Sequence, residues 1–246
     1  MALDCADKFR SSDQAKPLRV IDLCTGTGCI PLLLHALLAP HFQQLEITAI
    51  DISPIALALA QRNLAHNLQL GHLAPSATKD ISFHLADVLG HGSDKSIPSV
   101  DSLLQAKWST ASPNRDTVCD LLISNPPYIS QTEFRNGTTS RSVRRFEPKL
   151  ALVPPPLGSM SEDCRPEDVF YHRILSMALK FKAKITVLEC GDILQANRVV
   201  ALHRRLVSGE SAQFRAEVWP SQESDLAMNG FHATDGSRGV IIHRLP

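Results

Sequence analysis

Short apolar runs alternate with stretches of helical spacing along most of the chain. Leu18 to Cys24, Leu45 to Ile52, Ile81 to Leu89, Val118 to Ser124, Ile185 to Glu189, Phe214 to Trp219 and Val240 to His243 read as strands. Between them, Cys29 to Leu38, Ile55 to Asn67, Phe170 to Lys180 and Gln195 to Leu206 carry apolar residues at helical spacing. Strands joined by helices cannot pair as tight hairpins, so they return parallel and bury both faces of a sheet. Only a loop separates the last two strands, which allows an antiparallel return at the C-terminal edge. The expected fold class is therefore α/β. It is a seven-stranded, mostly parallel sheet with an antiparallel C-terminal strand, with ligands at the carboxyl ends of the strands.

Two other stretches have no clear period. Residues 90–117 are rich in Ser, Asp, Pro and Gly and read as a long surface insertion, with one helical turn near Val100 to Trp108. Residues 131–165 read as irregular. Ser53 followed by Pro54 is a helix start: a hydroxyl to cap free amides, then a ring that needs no amide partner.

Charge excludes one class of function. Lys and Arg number 25 and Asp and Glu number 25, so no strongly basic field is available to hold nucleic acid. The six cysteines form no C-x-x-C pair and the ten histidines no H-E-x-x-H, so no metal site is expected. No apolar run reaches the ~18 residues of a membrane span. Asp4 and Asp7 near the start do not suit a secretory signal or an acid-free transit peptide, so no targeting peptide is visible.

The first chemical signal is the turn after the first strand, Asp22-Leu23-Cys24-Thr25-Gly26-Thr27-Gly28. Small residues let backbone approach a ligand, and a helix start offers free amides. Asp51, with Ile52 after it, ends the second strand 23 positions beyond Gly28 (51 − 28), where an acid can accept from two ribose hydroxyls. Asp87 ends the third, where its side chain can reach an adenine amine. Together these residues point to a nucleoside-bearing cofactor. Asp22 would repel a pyrophosphate but can pair with an ammonium, which favours S-adenosylmethionine over a dinucleotide.

The most specific signal is Asn125-Pro126-Pro127-Tyr128, directly after the strand Leu121 to Ser124 and expected beside the cofactor. A planar amide or amino nitrogen is a poor nucleophile because its lone pair is delocalised. The Asn125 side-chain oxygen and the Pro126 carbonyl can hold its two N–H groups and so orient the lone pair. The prolines, Pro127 included, fix backbone direction. Tyr128 can pack flat on a planar group. Positioning of this kind lowers barriers by up to ~7–11 kcal/mol.

With these motifs the chain resembles the class I S-adenosylmethionine-dependent methyltransferases of planar nitrogens, which have a Rossmann-like seven-stranded sandwich. Ile123 to Ile129 followed by Phe146-Glu147-Pro148-Lys149-Leu150-Ala151-Leu152 resembles, more narrowly, the glutamine N(5)-methyltransferases of peptide chain release factors and their mitochondrial relatives. The resemblance runs from about Arg19 to the C-terminus. It implies methylation of the glutamine in a release factor Gly-Gly-Gln loop, by one methyltransferase domain over residues 19–246 behind a short lead of residues 1–18. It implies that Cys24 to Gly28 line the methionine moiety, Asp51 the ribose, and Asp87 and Val88 the adenine. It implies that Asn125 to Tyr128 hold the substrate glutamine, and that the compartment is mitochondrial, otherwise cytoplasmic.

Cys24 stands where the family commonly has glycine. The family's N-terminal helical docking domain has no counterpart in the first 18 residues, so a partner that supplies docking is expected. The expected partner is the release factor, with neither stable nucleic acid nor membrane. Five basic residues between Arg135 and Lys149 form a candidate surface for the substrate protein or nearby RNA. Two alternatives share the tetrapeptide or the loop: an amino-methyltransferase on adenine or cytosine of DNA or RNA, and a degenerate cofactor-binding subunit.

Overall fold

A computed structural model describes residues 17–90, 96–111, 119–156, 164–219 and 238–245. Seven strands form a mixed sheet in the order β3-β2-β1-β4-β5-β7-β6: β1 Leu18–Leu23, β2 Leu45–Asp51, β3 Ile81–Leu85, β4 Leu121–Ser124, β5 Ile185–Cys190, β6 Phe214–Trp219 and β7 Arg238–Arg244. The chain divides into two compact units, Met1–Ile123 and Ser124–Pro246.

In the first unit β1 pairs parallel with β2 and β2 parallel with β3, with Leu18 opposite Leu45 and Ile47 opposite Ile81. Val20, Ile21, Leu23, Ile47, Ala49 and Ile50 are buried, as strands covered on both faces require. Helix α1, Cys29–Leu38, packs on β2 and β3. Its Pro31 lies in the first turn, where no intrahelical amide bond is lost. Helix α2, Pro54–Gln69, is capped by Ser53, whose hydroxyl accepts from the Ala56 amide. It ends on Gly71 at φ 71°, with the His72 amide donating to the Asn67 carbonyl and the Gly71 amide to that of Leu68. Glycine meets the left-handed requirement of that stop without strain. A single turn, α3 (Ala77–Asp80), leads into β3.

The expected surface loop is corrected over part of its length. Val100–Ala111 is a three-turn helix, α4. Val100, Leu104 and Trp108 are buried, so spacing at i, i+4 and i+8 was present amid polar neighbours. Residues 91–95 and 112–117 of that stretch lie outside the described residues.

The second unit has its own core, with Tyr171, Ile174, Leu175, Phe181, Leu188 and Val199 buried. Strand β7 runs antiparallel to both neighbours, Ile185 opposite His243 in β5 and Phe214 opposite Arg244 in β6. The antiparallel C-terminal return is thus as read from the sequence. The segment read as irregular holds three short helices: α5 Gln131–Asn136, α6 Arg141–Phe146 and α7 Lys149–Leu152. Ser130 and Glu133 form a reciprocal capping box at the start of α5, a signal that their spacing in the sequence does carry. A 3-10 turn, Pro166–Asp168, leads into α8, Val169–Lys180. Helix α9, Ile193–Leu206, packs on α8 and on β5, β6 and β7.

Candidate active site

In the first unit the turn between β1 and α1 is held by backbone and by one carboxylate. The Thr25 amide donates to the Ile50 carbonyl at 3.0 Å, and the Gly28 amide to the Thr25 carbonyl at 3.0 Å. Asp51 Oδ2 accepts from the Gly26 amide at 2.8 Å, and Oδ1 from the Ser53 amide at 2.8 Å. Asn63 of α2 donates from Nδ2 to the Thr27 carbonyl at 2.9 Å. Loop and second strand are therefore one construction, with Asp51 at its centre. Ile52 beside it is half-buried.

The two glycines do different work. Gly28 (φ 80°) has no space for a side chain: a Cβ would lie 2.9 Å from Ala60 Cβ and 3.3 Å from Phe83 Cε1. It lets helix and strand close up. Gly26 (φ 56°) has nothing within 4 Å of that position. It leaves open space over the loop. Cys24 also has a left-handed backbone, at φ 59°, which costs a residue with a Cβ ~1–2 kcal/mol.

Asp22 is fully buried. Neither of its carboxylate oxygens has a hydrogen-bond partner, nor has the buried Thr25 Oγ1. Burial lifts its pKa to about 7; the nearby Thr25 hydroxyl draws it down and the negative charge of Asp51 pushes it further up. Buried polar atoms are normally satisfied. Orphaned acceptors of this kind fit a ligand that brings N–H donors. An ammonium does so. The residues of the loop therefore fit the methionine end of S-adenosylmethionine.

Asp87 is buried, with Oδ1 accepting from the Leu89 amide at 2.9 Å. Its backbone is fixed from both sides, by the Pro98 carbonyl and the Val100 amide. Val88 next to it is buried. The Ala86 amide donates to the Asp51 carbonyl at 3.1 Å, which sets the start of this turn against the end of β2.

In the second unit the tetrapeptide leaves β4 without regular structure. Asn125 is exposed, Pro126 and Pro127 are buried, and Tyr128 is half-buried. Tyr128 is held at three points. Its hydroxyl donates to Glu189 Oε1 at 3.4 Å, and its carbonyl accepts from Gln195 Nε2 at 3.2 Å. Its ring lies against Gly191, where a Cβ would come within 3.2 Å of Cδ2 and Cε2. The Ile129 amide donates to the Leu152 carbonyl at 2.9 Å, which ties the segment to the end of α7. Arg135, Arg141, Arg145 and Lys149 are exposed on α5 to α7, and Arg144 is half-buried.

Sequence reading found the tetrapeptide but not what holds it. Glu189, Gly191 and Gln195 were overlooked. The available signal was an acid and a glycine at the carboxyl end of β5, the position where the other strands carried their site residues. Asp168 gave no signal of its own, since an acid just before a helix reads as a cap.

Comparison with models of protein families gives no match. The chain is 38% identical over 148 residues to the probable MRF1 mitochondrial N(5)-glutamine methyltransferase of Schizosaccharomyces pombe, covering 60% of this chain and 39% of that protein. It is 33% identical over 235 residues to the mitochondrial MRF1 N(5)-glutamine methyltransferase of Saccharomyces cerevisiae, covering 93% of this chain and 58% of that protein. The release factor glutamine methyltransferase of Escherichia coli is 32% identical over 140 residues, 56% of this chain and 36% of that protein. The chain thus spans from about a third to somewhat over half the length of these relatives. Among solved structures, the N-terminal domain of human METTL16 superposes with a TM-score of 0.51 at 15% identity, over 98% of this chain and 66% of that one, a likeness of fold.

Proposed function

We propose that this chain, a sequence relative of the release factor glutamine methyltransferases, transfers a methyl group from S-adenosylmethionine to a protein glutamine. The acceptor is the side-chain amide nitrogen in the Gly-Gly-Gln loop of a peptide chain release factor. The mitochondrial setting rests on the names of the two yeast relatives. In this reading residues 19–246 act as one methyltransferase domain.

The observation that carries the reading is the tetrapeptide: an exposed Asn125 on a backbone whose prolines are buried and whose tyrosine is held at ring, hydroxyl and carbonyl. S-adenosylmethionine supplies an electrophilic methyl group when bound. The chain's own residues do the rest. Asp22 takes the ammonium of the methionine moiety, the Cys24 to Gly28 loop lies along it, and Asp51 keeps lone pairs for ribose hydroxyls beside its two amide contacts. Asp87 and Val88 flank the adenine. Asn125 Oδ1 and the Pro126 carbonyl accept from the two N–H groups of the substrate amide. Tyr128 packs on the amide plane. The substrate nitrogen is turned so that its lone pair points away from those acceptors. Its proton becomes acidic only once the nitrogen has four substituents, so no strong base is required, and the exposed Asn125 leaves it a route to water.

The test offers S-adenosylmethionine with either a release factor protein or an oligonucleotide containing adenine and cytosine. Methylation of the protein alone is the expected result. Methylation of the oligonucleotide alone would replace this reading with a base-directed one. Cofactor binding with no transfer to either would leave a cofactor-binding subunit.

A further inference from the structure

A buried polar chain stands behind the tetrapeptide. Arg198 donates from Nε to Asp168 Oδ2 at 2.6 Å and from Nη2 to Oδ1 at 3.0 Å. Asp168 Oδ1 also accepts from Gln195 Nε2 at 3.0 Å. The same Nε2 donates to the Tyr128 carbonyl, while Gln195 Oε1 accepts from the Gly191 amide at 2.9 Å. Asp168 and Gln195 are both buried.

The chemistry of these groups fixes a direction. An ionised carboxylate only accepts, so the end of Gln195 that faces Asp168 is its NH2. The other end is then an oxygen, and it faces the Gly191 amide, a donor. Reversing the amide would set oxygen against the Asp168 carboxylate and the Tyr128 carbonyl, and NH2 against an N–H. All three contacts would fail together. Arg198 donates to both Asp168 oxygens and so holds the carboxylate in place against Gln195.

We propose that Gln195, oriented by Asp168, is a positioning residue for methyl transfer: it holds the Tyr128 carbonyl and the Gly191 turn in one register and so fixes the angle at which the tetrapeptide presents its acceptors. The catalytic part of this proposal rests on the methyltransferase reading. The hydrogen-bond part does not.

The test compares the full chain with Gln195→Glu, Gln195→Met and Asp168→Ala. Three quantities are measured: kcat and KM for the protein substrate, the dissociation constant for S-adenosylmethionine, and hydrogen exchange at the Gly191 amide by NMR. Gln195→Glu keeps an acceptor for Gly191 but turns an oxygen on the Tyr128 carbonyl. Its Gly191 amide should stay protected while kcat falls about 10- to 100-fold. Gln195→Met is of similar shape with no hydrogen bonds; kcat should fall by a similar factor and Gly191 exchange should quicken about tenfold or more. Asp168→Ala should quicken Gly191 exchange, because the amide loses one of the three contacts that hold its direction. Cofactor affinity should stay within about twofold in all three.

Wild-type kcat in Gln195→Met would overturn the positioning role. Unchanged Gly191 exchange in Asp168→Ala would remove Asp168 from it. A wild-type chain that methylates nothing, with Gly191 exchange as described, would defeat the methyltransferase reading while the hydrogen-bond relay stands. Should Gln195→Glu not fold, Gln195→Met carries the test.

Discussion

The Gly26 amide donates to Asp51 Oδ2 at 2.8 Å, joining the middle of the turn after β1 to the end of β2. Asp51, read from the sequence as a ligand for ribose, is thus also the tether of the loop proposed to line the methionine moiety. The two roles make separable predictions. Asp51→Ala frees the amides of Gly26 and Ser53, each an unmet donor worth ~1–3 kcal/mol where buried. It should lower the melting temperature of the cofactor-free chain as well as its affinity for S-adenosylmethionine. Lost affinity with unchanged melting would mean that the tether contributes nothing and that only the ligand role is real.

Asp22 predicts a dependence on pH. Its pKa stands at about 7 rather than 3.8, because burial disfavours the carboxylate. The folded chain therefore binds more protons than the unfolded chain between those values, and folding stability falls as pH rises from about 4 to 7. Asp22→Asn removes that burden. It should stabilise the cofactor-free chain at pH 8 by up to ~4 kcal/mol, since each tenfold change in proton affinity is worth about 1.4 kcal/mol. It should change little at pH 4. An ammonium favours the ionised form, so wild-type affinity for S-adenosylmethionine should rise with pH through 7. Denaturant melts and calorimetric titrations at pH 5, 6, 7 and 8 would measure both. A flat affinity profile would separate Asp22 from the ammonium.

Gly26 and Gly28 should fail in different ways. Gly28→Ala drives a Cβ to 2.9 Å from Ala60 Cβ, so it should destabilise the chain strongly. Ala60→Gly should restore part of that loss. Gly26→Ala meets no neighbour and should cost only the ~1–2 kcal/mol of its left-handed backbone, yet weaken S-adenosylmethionine by more than that by occupying the open space. Equal effects of the two on stability and on affinity would contradict the division of labour.

Cys24→Gly should raise stability by a few tenths to ~1 kcal/mol. Relief of the strain at φ 59° is offset in part by the greater freedom of glycine in the unfolded chain. A lower melting temperature would show that the thiol contributes more than its backbone costs.

The sheet was legible because its strands are covered on both faces. Runs such as Val20 to Leu23 and Ile47 to Ile50 have few polar interruptions, and the helices between them fixed the parallel direction. The residues proposed for the cofactor were readable for a related reason: they lie at or just beyond the carboxyl ends of strands, so finding the strand located the residue. Helix α4 was legible only as one turn within a loop. Its buried residues, Val100, Leu104 and Trp108, are diluted by Asp101, Ser102, Gln105 and Lys107, although Pro98 and Pro113 stand two residues outside its ends and Ser99 accepts from the Ser102 amide at its start. The clamp on Tyr128 was hidden for a different reason. Asp168, Glu189 and Gln195 come from three elements, and each makes a local sense in sequence, as a cap, a strand end and a helix residue. Their joint role is a matter of side-chain direction, which sequence spacing does not carry. The double role of Asp51 was hidden likewise, since its contact with Gly26 spans 25 positions.

Tritiated-methyl transfer from S-adenosylmethionine to a mitochondrial-type release factor tests glutamine methylation most directly. The factor and its Gly-Gly-Gln to Gly-Gly-Ala variant are offered side by side, each with the wild-type chain and with Asn125→Ala. Asn125 is exposed, so its loss should leave the fold intact. Label is expected on the Gly-Gly-Gln protein alone, lowered roughly 10- to 150-fold by Asn125→Ala, the factor expected for an unmet polar group. Equal label on the Gly-Gly-Ala variant, or full transfer by Asn125→Ala, would contradict the assignment.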